Sequence, residues 1–396
     1  MKDFWNTGNN LKNKKINKKR IIIIVIIVII LALILSAGIV YLKNRTVQLW
    51  VDKNIFRKEV SENNLPSIEI EEVENTEVYA FYKYIGVLKE NIFSIYDSIG
   101  NKTNELNLEV TNPIFCTNNR CLVVAENEGQ KVYLITDKDI TWEKTVEGNI
   151  AKIDVNRNGY VAVTVVGTSH KSVVILFDNQ GNSLFKTFLS STRVTSTSIS
   201  NDNKYLALAE VDTSGTVVKS SIKVMDIEKG KNDPDNSIKD TYDTENGELV
   251  INIKYQDKDR LVCMYADKID VIKLDKEVET IYSSENKKIS FSTVELIDSA
   301  VTIEEKTSGL FTADSIVNII NTDNNGIITY STDSITKELL TYGNKIALNL
   351  GSEVEFINTS GWLIKDYMAE QEITKIVVSS SIAGIVYRDR IEVINL

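Results

Sequence analysis

From about residue 67 to Leu396 the chain repeats a unit of about 36 to 50 residues, and a strand-built repeat of that length leaves few folds open. Tyr82 to Gly100 aligns with Tyr342 to Gly361: in each, two short apolar runs meet at a tight turn and lead into a polar turn ending in glycine. The same cadence recurs at Arg120 to Asp137, Arg260 to Leu274 and Ala383 to Leu396. Alternation with a period of two is clean in Ile269-Asp270-Val271-Ile272-Lys273-Leu274 and in Ile391-Glu392-Val393-Ile394-Asn395-Leu396, as strands require.

A second element precedes these pairs. Ile153 to Val163 and Ile199 to Leu208 each read as a strand, an Asn/Asp-rich turn, a tyrosine, and a second strand in which a small alanine sits between large apolar residues. Phe177 to Asn182, Asn321 to Gly326 and Asn358 to Gly361 then turn into an outer strand. Four antiparallel strands per repeat define a β-propeller blade. The units fall at about 73–111, 112–148, 149–192, 193–244, 245–287, 288–334, 335–371 and 372–396. The last supplies three strands, and Ile68-Glu69-Ile70-Glu71-Glu72 can provide the fourth, closing the ring and removing two exposed edges. The expected fold is therefore all-β, an eight-bladed propeller with seven blades as the alternative. The polar insert Lys229 to Tyr242 reads as a mobile exposed loop.

Ahead of the repeats, Ile21 to Leu42 carries no charge. Twenty-two residues at about 1.5 Å rise give roughly 33 Å of helix, enough to cross a hydrocarbon core of about 30 Å. Seven basic residues and one acidic residue lie before it, so the positive-inside rule places residues 1–20 in the cytoplasm and residues 67–396 outside the membrane. A cleaved signal peptide is the rival reading; its apolar region is shorter, and Ser36-Ala37-Gly38 lies within the stretch instead of after it. Between anchor and repeats, residues 43–66 form a connector, partly helical on the spacing of Val47, Trp50, Val51 and Ile55. The net charge is −10, and the first 20 residues carry +6, which leaves −16 for the rest. Such a surface repels nucleic acid and polyanionic polymers, so nucleic acid is not an expected partner. Membrane lipid, through the one helix, is.

The inventory for catalysis is thin. His170 is the sole histidine and falls in an inter-strand loop, with nothing placing a serine and an acid beside it. Cys116 and Cys121 flank a hairpin turn, and outside the cytoplasm they can pair as a disulfide; Cys263 reads as a buried core thiol. No metal-ligand spacing, calcium loop or phosphate-cradling glycine loop is present. Glu304-Glu305 and Asp257-Lys258-Asp259 read as solvated turns, and no catalytic, cofactor or metal residue is assigned.

The tyrosine-led second strand, the Asp/Asn-x-x-Gly turn and the single N-terminal anchor make the chain similar, over about residues 20–396, to the membrane-tethered β-propeller proteins of Gram-positive bacteria with WD40-like or quinoprotein-like repeats. The repeat of quinoprotein dehydrogenases is not met: Asp178-Asn179-Gln180-Gly181 leads to Phe185 where a docking tryptophan would stand. The expected function is a non-catalytic scaffold in the cell envelope that binds an envelope protein. The alternatives are a ligand-binding sensor signalling across the membrane, or a glycan hydrolase or lyase using paired carboxylates.

Overall fold

A computed structural model describes residues 18–43, 47, 51, 55, 56, 58–60, 65–71, 76–245, 247–274, 278–285, 287–308, 312–369 and 371–396. The chain divides into two compact units, 1–59 and 60–396. In the first, Lys18–Lys43 is one helix whose segment Ile23–Tyr41, none of it buried, is long and apolar enough to cross a membrane. Its run of isoleucine and valine would suit a strand in water. In hydrocarbon, only a helix pairs every backbone group within the segment. Ser36, the sole polar side chain between Ile23 and Val40, bonds back to the Leu33 carbonyl at 2.9 Å. The expected connector lies largely outside the described residues.

The second unit is an eight-bladed β-propeller. Blades 1 to 7 span 76–107, 113–145, 149–189, 193–243, 252–283, 289–331 and 338–368, each with four consecutive antiparallel strands in sequence order. Blade 8 takes Lys375–Val378, Ile382–Val386 and Arg390–Asn395 from the end of the chain and Ser67–Glu69 from its start; Ile68 lies opposite Ile391.

Period-two alternation gives every blade two apolar faces, each used on a different neighbour. In blade 2, Leu122, Val124, Tyr133 and Ile135 pack with Phe81, Phe93 and Ile95 of blade 1, while Val123, Ala125, Val132 and Leu134 pack with Val163 and Val165 of blade 3. Blade 4 repeats this, with Leu206 and Leu208 turned to blade 3 and Ala207 and Ala209 to blade 5. The ring closes in the same way, Ile68, Val386 and Ile391 of blade 8 meeting Val78, Ile85 and Val87 of blade 1. Gly86 is a consequence of this packing: the Cβ of any other residue would collide with the buried Phe93 ring on the adjacent strand.

Polar contacts fasten blades further out. Outer-strand tyrosines of three successive blades reach a buried glutamate on the next: Tyr282 to Glu304 at 3.0 Å, Tyr330 to Glu355 at 2.9 Å and Tyr367 to Glu392 at 2.7 Å. Glu304 is thus not in a solvated turn. It lies on the second strand of blade 6, where Asn318 also donates to it at 2.9 Å. The Asp/Asn-x-x-Gly turns share one mechanism, the first side chain accepting from backbone N–H groups two and four residues on. Asp178 does so from Gln180 and Asn182, and Asn358 from Ser360 and Trp362, with Gly181 and Gly361 left-handed. The insert expected from Lys229 to Tyr242 is more ordered than its composition suggests. Ile227–Gly230 is a helical turn capped by Asp226, which accepts from Lys229 N at 3.0 Å, and Ile238–Asp243 is the outer strand of blade 4.

Replacing Ile68 tests the closing strand. Ile68→Ala is expected to lower stability by roughly 2–5 kcal/mol. The exposed control Ile92→Ala should stay within about 0.5 kcal/mol of the parent. Both are read by urea denaturation of the full chain, followed by aromatic fluorescence.

Candidate functional site

The first strand of every blade lies innermost, so the eight first strands and the turns after them surround the ring centre. There they enclose a cavity of about 1070 Å³, lined from Tyr79 of blade 1 round to Ser380 of blade 8. A side chain on an inner strand must face either a blade core or this lumen, and charge is tolerated only on the lumen side.

Lys254, on the inner strand of blade 5, organises the charged wall. Its ammonium lies 3.1 Å from Asp154 Oδ1 of blade 3 and 3.1 Å from Glu295 Oε2 of blade 6. Asp154 also accepts from Ile199 N at 3.2 Å, and Glu295 from the Asn252 amide at 2.8 Å. Ser196 of blade 4 donates to Asn252 Oδ1 at 2.7 Å, so four successive blades share one network. The Lys254 and Asp154 side chains are 12% and 9% exposed and that of Glu295 is 42%, so the first pair sits in much the lower dielectric. Burial alone would lower the Lys254 ammonium, but Asp154 and Glu295 hold it well above the usual lysine range. Burial raises the Asp154 carboxyl against the pull of Lys254. At Glu295 burial also pushes upward, yet Lys254 and Asn252 prevail and hold it below the usual carboxylate range.

The opposite wall is aromatic. Tyr79 stacks on Phe115 with ring centroids 4.9 Å apart, and Tyr342 of blade 7 donates to the Asn119 carbonyl of blade 2 at 3.3 Å. Tyr82 lines the cavity from the two-residue turn of blade 1 at φ +48°, a left-handed conformation that a bulky side chain rarely adopts. Its carbonyl is clamped by Ser379 and Ser380 of blade 8, each donating at 2.8 Å, and Lys83 and Arg120 lie 5.5 and 6.0 Å from its ring centroid. Arg157, exposed in the turn of blade 3, lines the cavity too. Local strain held by a neighbouring blade is a feature of functional positions.

Of the candidate residues singled out in the sequence, Cys116 and Asp257 line this cavity, Asp257 from an exposed turn of blade 5. Cys116 and Cys121 are both free thiols: the register sets Cys116 opposite Val123 and Cys121 opposite Asn118. They are therefore diagonal on one face, at about 7–8 Å, where a disulfide needs directly opposed Cβ atoms. Burial, and then Asp154, push the Cys116 thiol up to about 12. Cys263 is fully buried. His170 lies in the loop between the second and third strands of blade 3, its ring 5.0 Å from Phe188 and its Nδ1 3.1 Å from Ser169 Oγ. No group of metal-ligating side chains occurs among the described residues. Lys254, Asp154 and Glu295 went unassigned from the sequence, although a charge inside Ile153-Asp154-Val155 and Ile253-Lys254-Tyr255 is the trace they leave there.

Residues 57–396 match the family described as "Family of unknown function (DUF5711)". The chain belongs to that family. No curated protein matches its sequence. Similar solved structures include BamB from Moraxella catarrhalis, at 13% identity and TM-score 0.48 over 85% of this chain and 99% of that one. Apo AztD from Citrobacter koseri follows at 13% and 0.48 over 76% and 88%, and Kuenenia stuttgartiensis hydrazine synthase at 10% and 0.44 over 85% and 99%. None of these likenesses says what this chain binds.

Two outcomes are expected. Lys254→Met should destabilise the propeller by about 3 kcal/mol at neutral pH, because it strands Asp154 in a poorly solvated site while the more exposed Glu295 is partly screened. Without Lys254 both folded carboxyls titrate above their unfolded values, so the variant regains stability as pH falls through that range. The parent meanwhile loses the contribution of its depressed Glu295. Denaturation curves should therefore converge toward acid pH. In thiol counting, the oxidised and never-reduced protein should show all three thiols in denaturant and sluggish labelling when native; a single thiol in denaturant would mean that Cys116 and Cys121 pair.

Proposed function

We propose that the chain is a membrane-anchored, extracytoplasmic propeller that binds a protein or peptide segment at the ring-centre cavity and does no chemistry there. The observation that carries this reading is the state of the four lumen carboxylates: Asp154 and Glu295 are both engaged by Lys254, and Asp257 and Asp298, in the turns after the inner strands of blades 5 and 6, accept from Lys258 N and Ser299 Oγ, so no matched pair faces a substrate as general acid and nucleophile. What the cavity offers to a ligand is instead aromatic rings at Tyr79, Tyr82 and Tyr342, side-chain amides at Asn119 and Asn344, and the Arg157 guanidinium. Such surfaces recognise extended polar chains without reacting with them. The apolar helix and the basic residues before it support anchoring, and their charge bias supports an exterior propeller.

In-cell crosslinking of the full chain, followed by mass spectrometry, tests the reading against a control in which residues 67–396 are replaced by an unrelated exported domain. A partner captured through the native propeller, and captured about tenfold less by a Tyr82→Ala, Arg157→Glu variant, is the expected result. Capture indifferent to that variant, or no partner across several crosslinker chemistries, would overturn it.

A further inference from the structure

The face carrying the blade-to-blade connections presents a second feature, between blades 4 and 5. The connection 244–251 is held down at three points: Thr244 N donates to Ser220 O at 3.1 Å, Gly247 N to Val218 O at 3.2 Å and Ile251 N to Met264 O at 2.8 Å. Val250 is fully buried, and alternation along this extended stretch then turns its neighbours outward. Leu249 and Ile251 are 41% and 44% exposed, and Val217 and Val218 of the adjoining hairpin turn are 46% and 40% exposed. The Gly247–Val218 bond sets the turn bearing Val217 and Val218 beside the connection bearing Leu249 and Ile251, and Ile251 reaches the rim of the ring-centre cavity. Clustered exposed aliphatics of this kind mark contact sites more often than singly scattered ones do.

Beside the patch lies a cavity of about 240 Å³, to which Asp243, Glu245, Glu248 and Asp270 contribute four carboxylates. Lys268 is the one cation of its lining, and it is already engaged, 2.9 Å from Glu248, 3.5 Å from Asp270 and 4.6 Å from the centre of the Tyr265 ring. Among the described residues, Asp243 and Glu245 make no ion pair. Near the hairpin turn that carries Val217 and Val218, Lys171 and Lys219 both act on Asp212, so the charge there is not anionic. The pocket is therefore the strongly anionic border of an apolar patch.

We propose that this surface docks a segment of another exported protein that carries leucine, isoleucine or valine next to a lysine or arginine. Its aliphatic side chains cover Val217, Val218, Leu249 and Ile251, and its cation enters the carboxylate pocket. A second copy of this chain is disfavoured by charge, since the part beyond the anchor carries −16. The proposal rests on the reading of the chain as a binding propeller and adds a contact outside the ring centre.

The test uses the full chain in phosphatidylcholine nanodiscs, with empty nanodiscs as the blank, and short synthetic photo-crosslinking peptides. One peptide alternates leucine and lysine, one leucine and glutamate, and one serine and lysine. The leucine–lysine peptide is expected to crosslink within 217–218 and 245–251, to bind at least about tenfold more tightly than the other two, and to lose about tenfold in affinity with Glu245→Lys plus Leu249→Asp. Both positions are exposed, so the circular dichroism and melting temperature of that variant should match the parent; should Leu249→Asp perturb them, Leu249→Ser replaces it. Crosslinks confined to the ring-centre cavity or scattered over the disc, equal binding of the serine–lysine peptide, or affinity unchanged in the variant would each overturn the proposal. Failure of in-cell capture by parent and variant alike would instead remove the binding-propeller reading, which the peptide mapping does not probe.

Discussion

A blade with two apolar faces cannot end a structure. Each sheet of this propeller buries one set of side chains against the preceding blade and the alternate set against the following one, as Leu122 and Val123 do from adjacent positions on one strand. An open row of such sheets would leave one apolar face exposed at each end, along with unpaired strand edges. Closure is the solution, and it requires the start of the chain to complete a sheet made by its end. Ser67–Glu69 against Arg390–Glu392 is a short pairing, yet Ile68 and Ile391 are fully enclosed between blades 8 and 1. All the other inter-blade cores depend on that circle being complete.

Closure also creates the lumen, and the lumen creates an electrostatic problem. Inner strands have a face that meets no neighbouring blade, and groups placed there are poorly hydrated. A lone carboxylate at Asp154 would be costly. Lys254 answers this by lying between two acids on blades two apart and one apart from its own, so that the network acts as a tie across the ring as well as a neutraliser. Farther out, the Tyr282–Glu304, Tyr330–Glu355 and Tyr367–Glu392 contacts repeat the principle between adjacent blades with a neutral donor. Rigid blades with tied inner strands favour a preformed recognition surface, because little conformational entropy remains to be lost on binding.

The repeat, the strand alternation and the Asp/Asn-x-x-Gly turns were legible because each is written within a dozen neighbouring residues. The eight-bladed ring follows from counting such units. What escaped was everything that joins residues distant in the chain. Lys254 and Asp154 are 100 residues apart, and Tyr342 meets Asn119 across 223, so no local pattern pairs them. Glu304 was read as solvated because adjacent acids usually are; a tyrosine from the preceding blade reverses that. The insert from Lys229 to Tyr242 reads as a mobile exposed loop from its Asp, Asn and Lys content, whereas Asp226 caps a helical turn at its start and Ile238–Asp243 is an outer strand whose Tyr242 packs on the core between blades 4 and 5. Cys116 and Cys121 show the limit of spacing arguments: a hairpin brings two thiols near, but the register decides whether they are opposed.

Charge is distributed so that the two candidate surfaces must recognise differently. The part beyond the apolar helix carries −16, but in the lumen Asp154, Asp257, Glu295 and Asp298 are matched by Lys152, Arg157, Lys254 and Arg260. A field that is compensated at its source does not steer a partner from a distance, and at physiological salt exposed charges are screened within about 8 Å. Recognition at the ring centre must therefore rest on contact terms: stacking on Tyr79 and Tyr82, and hydrogen bonds to amides. Among the described residues the carboxylates of Asp243 and Glu245 make no ion pair, and they lie on the outside, where their potential reaches solvent. Salt-dependent attraction of a cationic segment, acting within about 8 Å at physiological salt, thus belongs to the connection face and contact selectivity to the lumen. Ile251, which borders both, is where one extended partner could engage the two in sequence.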